Sequence, residues 1–363
     1  MKVLITYASA GAGHKRVAEA IYDYLNIHRP DLKLELLDII PGSTGFFRFS
    51  YGKGYTFLVH YASWLWAFFF WMTEVKFIRW FSRKSSTITN YFSCRKFRTY
   101  LENESFDYII STHFLNSELA ANLKLKNIIK GKLITVITDF GVHPFWVSKG
   151  TDLYVVATGF TKQKLLEMGV AGDSIKEFGI PVASTFAIHQ DREKLAKKLG
   201  IDTKKFTVLL MTGSFGLGPL EEIAESLCNQ AQVLVVCARN KKLYLRLEKR
   251  NLENVKVFGF IDNIQELMAV SDMMITKPGG SSIVELLNME LLPIFIAAIP
   301  GQESENLKVL ASYVVGSVAN NILEIKKVVL DLKNNPRKIE ELKQKIREIK
   351  KPFACQELAR VIR

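Results

Sequence analysis

Short apolar runs alternate with amphipathic stretches over most of the chain. Val3-Leu4-Ile5-Thr6-Tyr7 reads as a strand and residues 8–13 as a small-residue loop. Residues 15–26 have helical periodicity, with Val17, Ile21 and Leu25 on one face. Leu34-Glu35-Leu36-Leu37-Asp38 is a second strand. This βαβ unit predicts a parallel sheet with right-handed crossovers. The rhythm breaks between residues 46 and 101. It resumes with strands over 108–111, 133–137 and 153–156, the first two ending at Thr112-His113 and Thr138-Asp139. A Gly-Ile-Pro-Val passage at 179–182 leads to Phe186 and closes a first domain.

A second domain restarts with a charged helix over 192–199. A strand over 207–211 runs into Thr212-Gly213-Ser214-Phe215-Gly216-Leu217-Gly218, and a helix over 220–227 follows. Further strands fall at 233–236, 255–258 and 273–275. Each half therefore opens with strand, glycine loop and helix. The fold class is α/β: two Rossmann-like domains facing each other across a cleft, over residues 1–186 and 187–338. Residues 334–351 form a lysine-rich amphipathic helix. Pro352 and a short helical pattern follow, so residues 339–363 make a C-terminal helical segment.

The interruption at 46–101 is crowded with aromatic rings, among them Trp64, Trp66, Phe69, Trp71 and Trp80, and interleaved with lysine and arginine. Glu74 is the one carboxylate there. A buried helical hairpin, a transmembrane span and an interfacial surface compete for this segment. Residues 55–72 carry no formal charge and are just long enough to span. His60 and Ser63 sit at their centre, however, and Trp and Tyr prefer the headgroup level. The pattern favours interfacial insertion beside basic residues that meet anionic lipid.

Charge supports that reading. The 363 residues are 48% hydrophobic and carry a formal net charge of +13, which asks for an anionic partner. The basic residues cluster with a large apolar run rather than with isolated stacking aromatics. A membrane surface is therefore expected and nucleic acid is not. Cys94, Cys228, Cys237 and Cys355 are scattered, which suggests neither a zinc site nor a disulfide framework. No signal-peptide pattern precedes the first strand, so the chain reads as cytoplasmic.

The densest chemistry lies at Thr276-Lys277-Pro278-Gly279-Gly280-Ser281-Ser282, which leads into an amphipathic run containing Glu285. Strand, tight turn and helix bring backbone N–H groups and positive potential to one point, a natural phosphate site. Gly279 and Gly280 admit a close ligand; Ser281 and Ser282 are placed to cap the helix or donate to an anion. Glu285, one turn inside, is placed to accept two ribose hydroxyls. Pro293 and Pro300 bracket a further apolar run, and Gln302-Glu303 then offer partners to a polyhydroxy ring. Asn306 is either a ligand group or a helix cap. Gly213 and Ser214 open a second helix N-terminus, and Lys277 or Arg239 adds a positive charge. No Asp-x-Asp motif is present, so neither a metal nor a cofactor is implied. On the other domain, His14 starts a helix whose potential keeps its ring neutral and able to act as a base. Gly11 and Gly13 allow an acceptor to approach it. Asp139 is a candidate to orient His14 or to replace it as base; His113 and His143 are weaker candidates. The plain alternatives are a solvent histidine, an exposed helix carboxylate and ordinary polar loops.

Lys277-Pro278-Gly279-Gly280, Glu285 and Pro300-Gly301-Gln302-Glu303 with Asn306 together resemble the donor-site signature of the monogalactosyldiacylglycerol synthase and processive diacylglycerol glucosyltransferase family. These enzymes are relatives of the one that adds N-acetylglucosamine to lipid-linked muramyl peptide. Gly11-Ala12-Gly13-His14 and Thr138-Asp139-Phe140 with His143-Pro144 are similar to that family's acceptor side. The resemblance implies a GT-B type glycosyltransferase whose last segment crosses back to the N-terminal domain. It implies a UDP-hexose donor with uracil near Gly259-Phe260-Ile261, ribose on Glu285 and sugar hydroxyls on Gln302 and Glu303. It further implies diacylglycerol as acceptor near Gly11, Gly13 and His143, His14 as base, inversion at the anomeric carbon, and a peripheral position on the cytoplasmic face of the membrane. Ser214-Phe215 departs from the family's glycine-richer loop and leaves the sugar open. Rival readings are a transferase acting on another lipid such as a polyprenol-linked precursor, a UDP-sugar epimerase, and a non-catalytic membrane-surface protein.

Overall fold

The computed structural model describes residues 1–9, 11–54, 64, 72, 76–188, 190–296 and 298–363. The chain divides into two compact units. Unit 1 comprises Met1–Ser184, Ile299–Val309 and Lys351–Arg363; unit 2 comprises Thr185–Ala298 and Leu310–Lys350.

Unit 1 is built on a parallel sheet of β1 (Lys2–Tyr7), β2 (Lys33–Asp38), β3 (Tyr108–Ser111), β4 (Lys132–Val136), β5 (Leu153–Val155) and β6 (Ile175–Lys176), ordered β2-β1-β3-β4-β5-β6. Val3, Leu4, Ile5, Ile110 and Leu133 are fully buried, as expected for a parallel sheet covered on both faces. Helix Ala12–His28 covers β1 with Val17, Ala18, Ile21 and Leu25, whose spacing puts them on one stripe. Gly11 precedes this helix at φ 119°, in the left-handed region that favours glycine. The sheet grows from β1 to β2 on one side and to β3 on the other. The strand order therefore reverses at the β1/β3 boundary, where α/β sheets open a crevice at their C-terminal edge.

Unit 2 repeats this plan with β7 (Thr207–Leu210), β8 (Gln232–Val236), β9 (Val255–Phe258), β10 (Met273–Thr276), β11 (Leu292–Phe295) and β12 (Ser317–Val318), all parallel. Their order is β12-β11-β10-β7-β8-β9, which reverses between β7 and β10. β11 contains Pro293, which pairs with Met274 of β10. On its other side β11 pairs with β12 only at Ile294 and Phe295. The missing proline N–H thus falls outside that short ladder.

Helix Pro336–Ile349 lies in unit 2, where Glu290 meets Arg347 at 2.8 Å and Lys350 at 2.6 Å. Only Lys351–Arg363 groups with unit 1, a shorter return than the 339–363 segment read from the sequence. Arg29 donates to the Ile362 carbonyl at 2.8 Å, and Tyr108 Oη donates to the Arg363 carbonyl at 3.1 Å. Gly179, at φ +90°, is held where an added Cβ would lie 2.3 Å from Lys351 Cβ.

Within 46–101, helices Lys76–Ser93 and Arg95–Asn103 belong to unit 1. Part of this segment is core: Phe47, Cys94, Phe97 and Leu101 pack with Leu4, Ile109 and Leu133. Glu118 clamps the first of these helices by accepting from Asn90 Nδ2 at 2.9 Å and from Thr87 Oγ1. Phe46, Phe49, Trp64 and Phe92 are exposed. Trp66, Phe69 and Trp71 lie outside the described residues, as does most of 55–72; Trp80 lies on helix Lys76–Ser93. Among the described residues, no helix is long and apolar enough to cross a membrane.

Candidate active site

The β1/β3 reversal brings the start of helix Ala12–His28 beside Thr112 and His113. His14 is half-buried there, with its Nδ1 2.8 Å from the Thr112 carbonyl oxygen and 2.9 Å from Thr138 Oγ1. A carbonyl oxygen only accepts, so Nδ1 carries the hydrogen and Nε2 keeps its lone pair. Among the described residues Nε2 has no hydrogen-bond partner. Burial pushes the imidazolium down to about 4, against a smaller upward pull from the Thr112 carbonyl. The ring is therefore a neutral base near pH 7.

His113 lies edge-to-face with His14 at 4.5 Å between ring centroids. Its Nδ1 accepts from Leu115 N at 3.1 Å and so caps helix Phe114–Leu125; its remaining hydrogen is on Nε2. Burial first, and His14 second, hold His113 well below the usual histidine range. His143 likewise caps the short turn Pro144–Trp146, accepting from Phe145 N at 3.3 Å.

Asp139 does not orient His14. Its buried carboxylate accepts from Gln302 Nε2 at 2.5 Å and, at the limit of bonding, from Asn306 Nδ2 at 3.5 Å. Burial raises this group to about 6, with the two amides pulling the other way. Asn306 Oδ1 accepts from Phe140 N at 2.8 Å and Gly141 N at 3.1 Å, and Ile299 N donates to Glu303 Oε2 at 2.7 Å. Residues 299–309 are part of unit 1. Gln302 and Asn306 are thus engaged with the 139–141 turn rather than grouped with the donor residues expected of the second domain. Gly141 permits this approach, since an added Cβ would lie 2.6 Å from Glu305 Cβ.

Unit 2 collects the remaining residues expected at a donor site at the C-terminal edge of its sheet. The loop after β7 uses positive φ at Gly213, Gly216 and Gly218. Gly216 sits where an added Cβ would lie 2.2 Å from the Cys237 carbonyl oxygen. Asn240 fastens the loop: its Nδ2 donates to the Gly216 carbonyl at 3.0 Å, while its Oδ1 caps helix Lys241–Arg250. Arg239 N donates to the Ser214 carbonyl at 3.3 Å, and the exposed Arg239 guanidinium lies 5.7 Å from the Phe260 ring centre. Phe215 and Phe260 are exposed rings, and Ile261 is half-buried.

After β10, Lys277 and Pro278 lead to Gly279, the N-cap of helix Gly280–Asn288. The N-cap, Gly279, makes no side-chain cap hydrogen bond, and Ser281 and Ser282 lie in the first turn rather than at the cap, both half-buried. The first-turn N–H groups keep their positive potential. Glu285 is buried rather than an exposed helix carboxylate. Sequence reading assigns no chemistry of their own to Thr112, Thr138 or Asn240. Their positions at or just beyond the ends of β3, β4 and β8 are the signal that marks them.

Residues 14–182 match the monogalactosyldiacylglycerol (MGDG) synthase family, and residues 207–358 match the glycosyltransferase family 28 C-terminal domain. A processive diacylglycerol beta-glucosyltransferase of Bacillus pumilus is 30% identical over 96% of this chain and 91% of its own length. Among solved structures, Acinetobacter baumannii MurG superposes with a TM-score of 0.60 at 13% identity, over 99% of each chain. The UDP-GlcNAc 2-epimerase of Neisseria meningitidis, bound to UDP-GlcNAc, gives 0.62 at 14% identity, over 100% of this chain and 99% of its own. These likenesses identify the fold as GT-B type, with two Rossmann-like domains.

Proposed function

Because the chain belongs to the monogalactosyldiacylglycerol synthase and processive diacylglycerol glucosyltransferase family and is a UDP-sugar glycosyltransferase, we propose that it moves a hexose from UDP to diacylglycerol with inversion. Unit 2 binds the donor. The uncapped first turn of helix Gly280–Asn288 and the Gly213–Gly218 loop receive the pyrophosphate, and Glu285 receives the ribose. Charge builds on the departing UDP as the glycosidic bond breaks, and helix N–H groups and Lys277 stabilise it.

Unit 1 supplies the base. His14 Nε2 takes the proton of the lipid's hydroxyl while the oxygen bonds to the anomeric carbon and UDP leaves from the opposite face. The observation that carries this reading is the 2.8 Å bond from His14 Nδ1 to the Thr112 carbonyl, which leaves the lone pair on Nε2. The exposed Phe46, Phe49, Trp64 and Phe92 and the basic residues around them support attachment to the surface of an anionic membrane. Incubation of the purified protein with UDP-glucose or UDP-galactose and diacylglycerol vesicles should release UDP and yield a β-hexosyldiacylglycerol by mass spectrometry and NMR. No UDP release with any common hexose donor, or product only on a polyprenol-linked lipid, would overturn the assignment.

A further inference from the structure

Thr138 stands just beyond β4, and its hydroxyl oxygen is 2.9 Å from His14 Nδ1. The same nitrogen meets the Thr112 carbonyl oxygen at 2.8 Å. One hydrogen on Nδ1 is thus shared between two acceptors. The Thr112 contact is made by the main-chain carbonyl. The Thr138 contact depends on a side-chain oxygen. Thr138 is buried, and its β-branched side chain has few rotamers, so that oxygen is held in place. His113 and Asp139 are the titratable neighbours. His113 offers a neutral ring edge-on, and the Asp139 carboxylate is turned onto Gln302. Among the described residues, no carboxylate bonds the His14 ring.

We propose that Thr138 is a positioning residue for the base: with the Thr112 carbonyl it fixes the plane of the His14 ring and accepts from Nδ1–H as charge develops there. The inference rests on His14 being the base. In the step concerned, the lipid O–H bond breaks and its proton passes to Nε2. The freed oxygen bonds to the anomeric carbon, and the carbon–oxygen bond to UDP breaks with its electron pair leaving on the phosphate. The ring is then cationic, and hydrogen bonds from a charged donor are the stronger ones.

Thr138→Val removes the oxygen at nearly constant volume, and Thr138→Ser keeps it. Thr138→Val should lower kcat about tenfold or more while leaving KM for the UDP-sugar within about twofold. Thr138→Ser should restore most of that loss. An NMR pH titration of the His14 ring in the substrate-free protein should show it staying neutral to lower pH in Thr138→Val than in the wild type, with Thr138→Ser returning it. Wild-type kcat and titration in Thr138→Val would overturn the assignment. So would a kcat loss with unchanged titration that Ser does not rescue, because that pattern marks packing alone. If the wild-type protein transfers no sugar to lipid, the proposed function fails separately, and the titration still decides whether Thr138 acts on His14.

Discussion

Thr112 and His14 exchange two hydrogen bonds: Thr112 Oγ1 donates to the His14 carbonyl at 3.0 Å, and His14 Nδ1 donates to the Thr112 carbonyl at 2.8 Å. The end of β3 therefore grips both the backbone and the ring of a residue in the first turn of the neighbouring helix. The proposed proton acceptor is oriented by neutral oxygens, with no carboxylate on Nδ1 among the described residues. His14→Ala should lower transfer by a factor of about 10²–10⁴, the usual contribution of a general base. UDP affinity should hold, because the residues of unit 2 proposed to bind the donor are untouched; isothermal titration with UDP checks this.

With His14 as the proposed base, transfer requires the neutral ring, and burial holds His14 at about 4. Activity should therefore fall on the acid side only as pH approaches about 4. An unperturbed histidine would already be half-charged at ~6.5. The acid limb of kcat/KM against pH measures this directly.

Asp139 lies buried, with its carboxyl raised to about 6 from 3.8. Because the folded value exceeds the unfolded one, the ionised group costs stability above pH 6, and that cost disappears as pH falls through 6 toward 3.8. Asp139→Asn avoids the charge and still offers Gln302 an acceptor. It should stabilise the protein by about 2–3 kcal/mol at pH 8, from roughly two pH units at 1.36 kcal/mol each. The gain should vanish by pH 4, read from urea unfolding at both values.

Gly141→Ala would press a Cβ into Glu305. The start of helix Gln302–Ser312 would have to move, loosening the bonds from Phe140 and Gly141 to Asn306. Overpacking of this kind costs about 1–3 kcal/mol, measurable by denaturant unfolding.

Replacing Phe46, Phe49 and Phe92 together by Ser should weaken sedimentation with phosphatidylglycerol vesicles about tenfold or more, because each removes exposed apolar area. Raising the salt should weaken binding of the unaltered protein as well, through screening of its basic residues.

Periodicity and glycine placement made the α/β plan readable: β3, β9 and helix Arg192–Leu199 begin and end where the pattern puts them, and β1 starts one residue earlier, at Lys2. The edge strands β6 and β12 are two residues each, too short to show a period, and Pro293 disguises β11. Glycines and charged residues announced the site, but their partners did not. Asp139 and Gln302 are 163 residues apart in sequence, and no spacing rule links them. Thr112 and Thr138 look like any polar residue closing a strand. Only the neighbouring order of β1, β3 and β4 turns both toward one imidazole.

Unit 1 draws its pieces from both ends of the sequence and from a short stretch in between. On the ribosome, Lys351–Arg363 emerge only after all of unit 2 has been made. Their bonds to Arg29 and Tyr108 then close a unit whose first strand was synthesised more than three hundred residues earlier. Unit 1 therefore lacks its last segment until then, while unit 2 already has its whole sequence. Neither half can be expressed whole from one uninterrupted stretch of the gene.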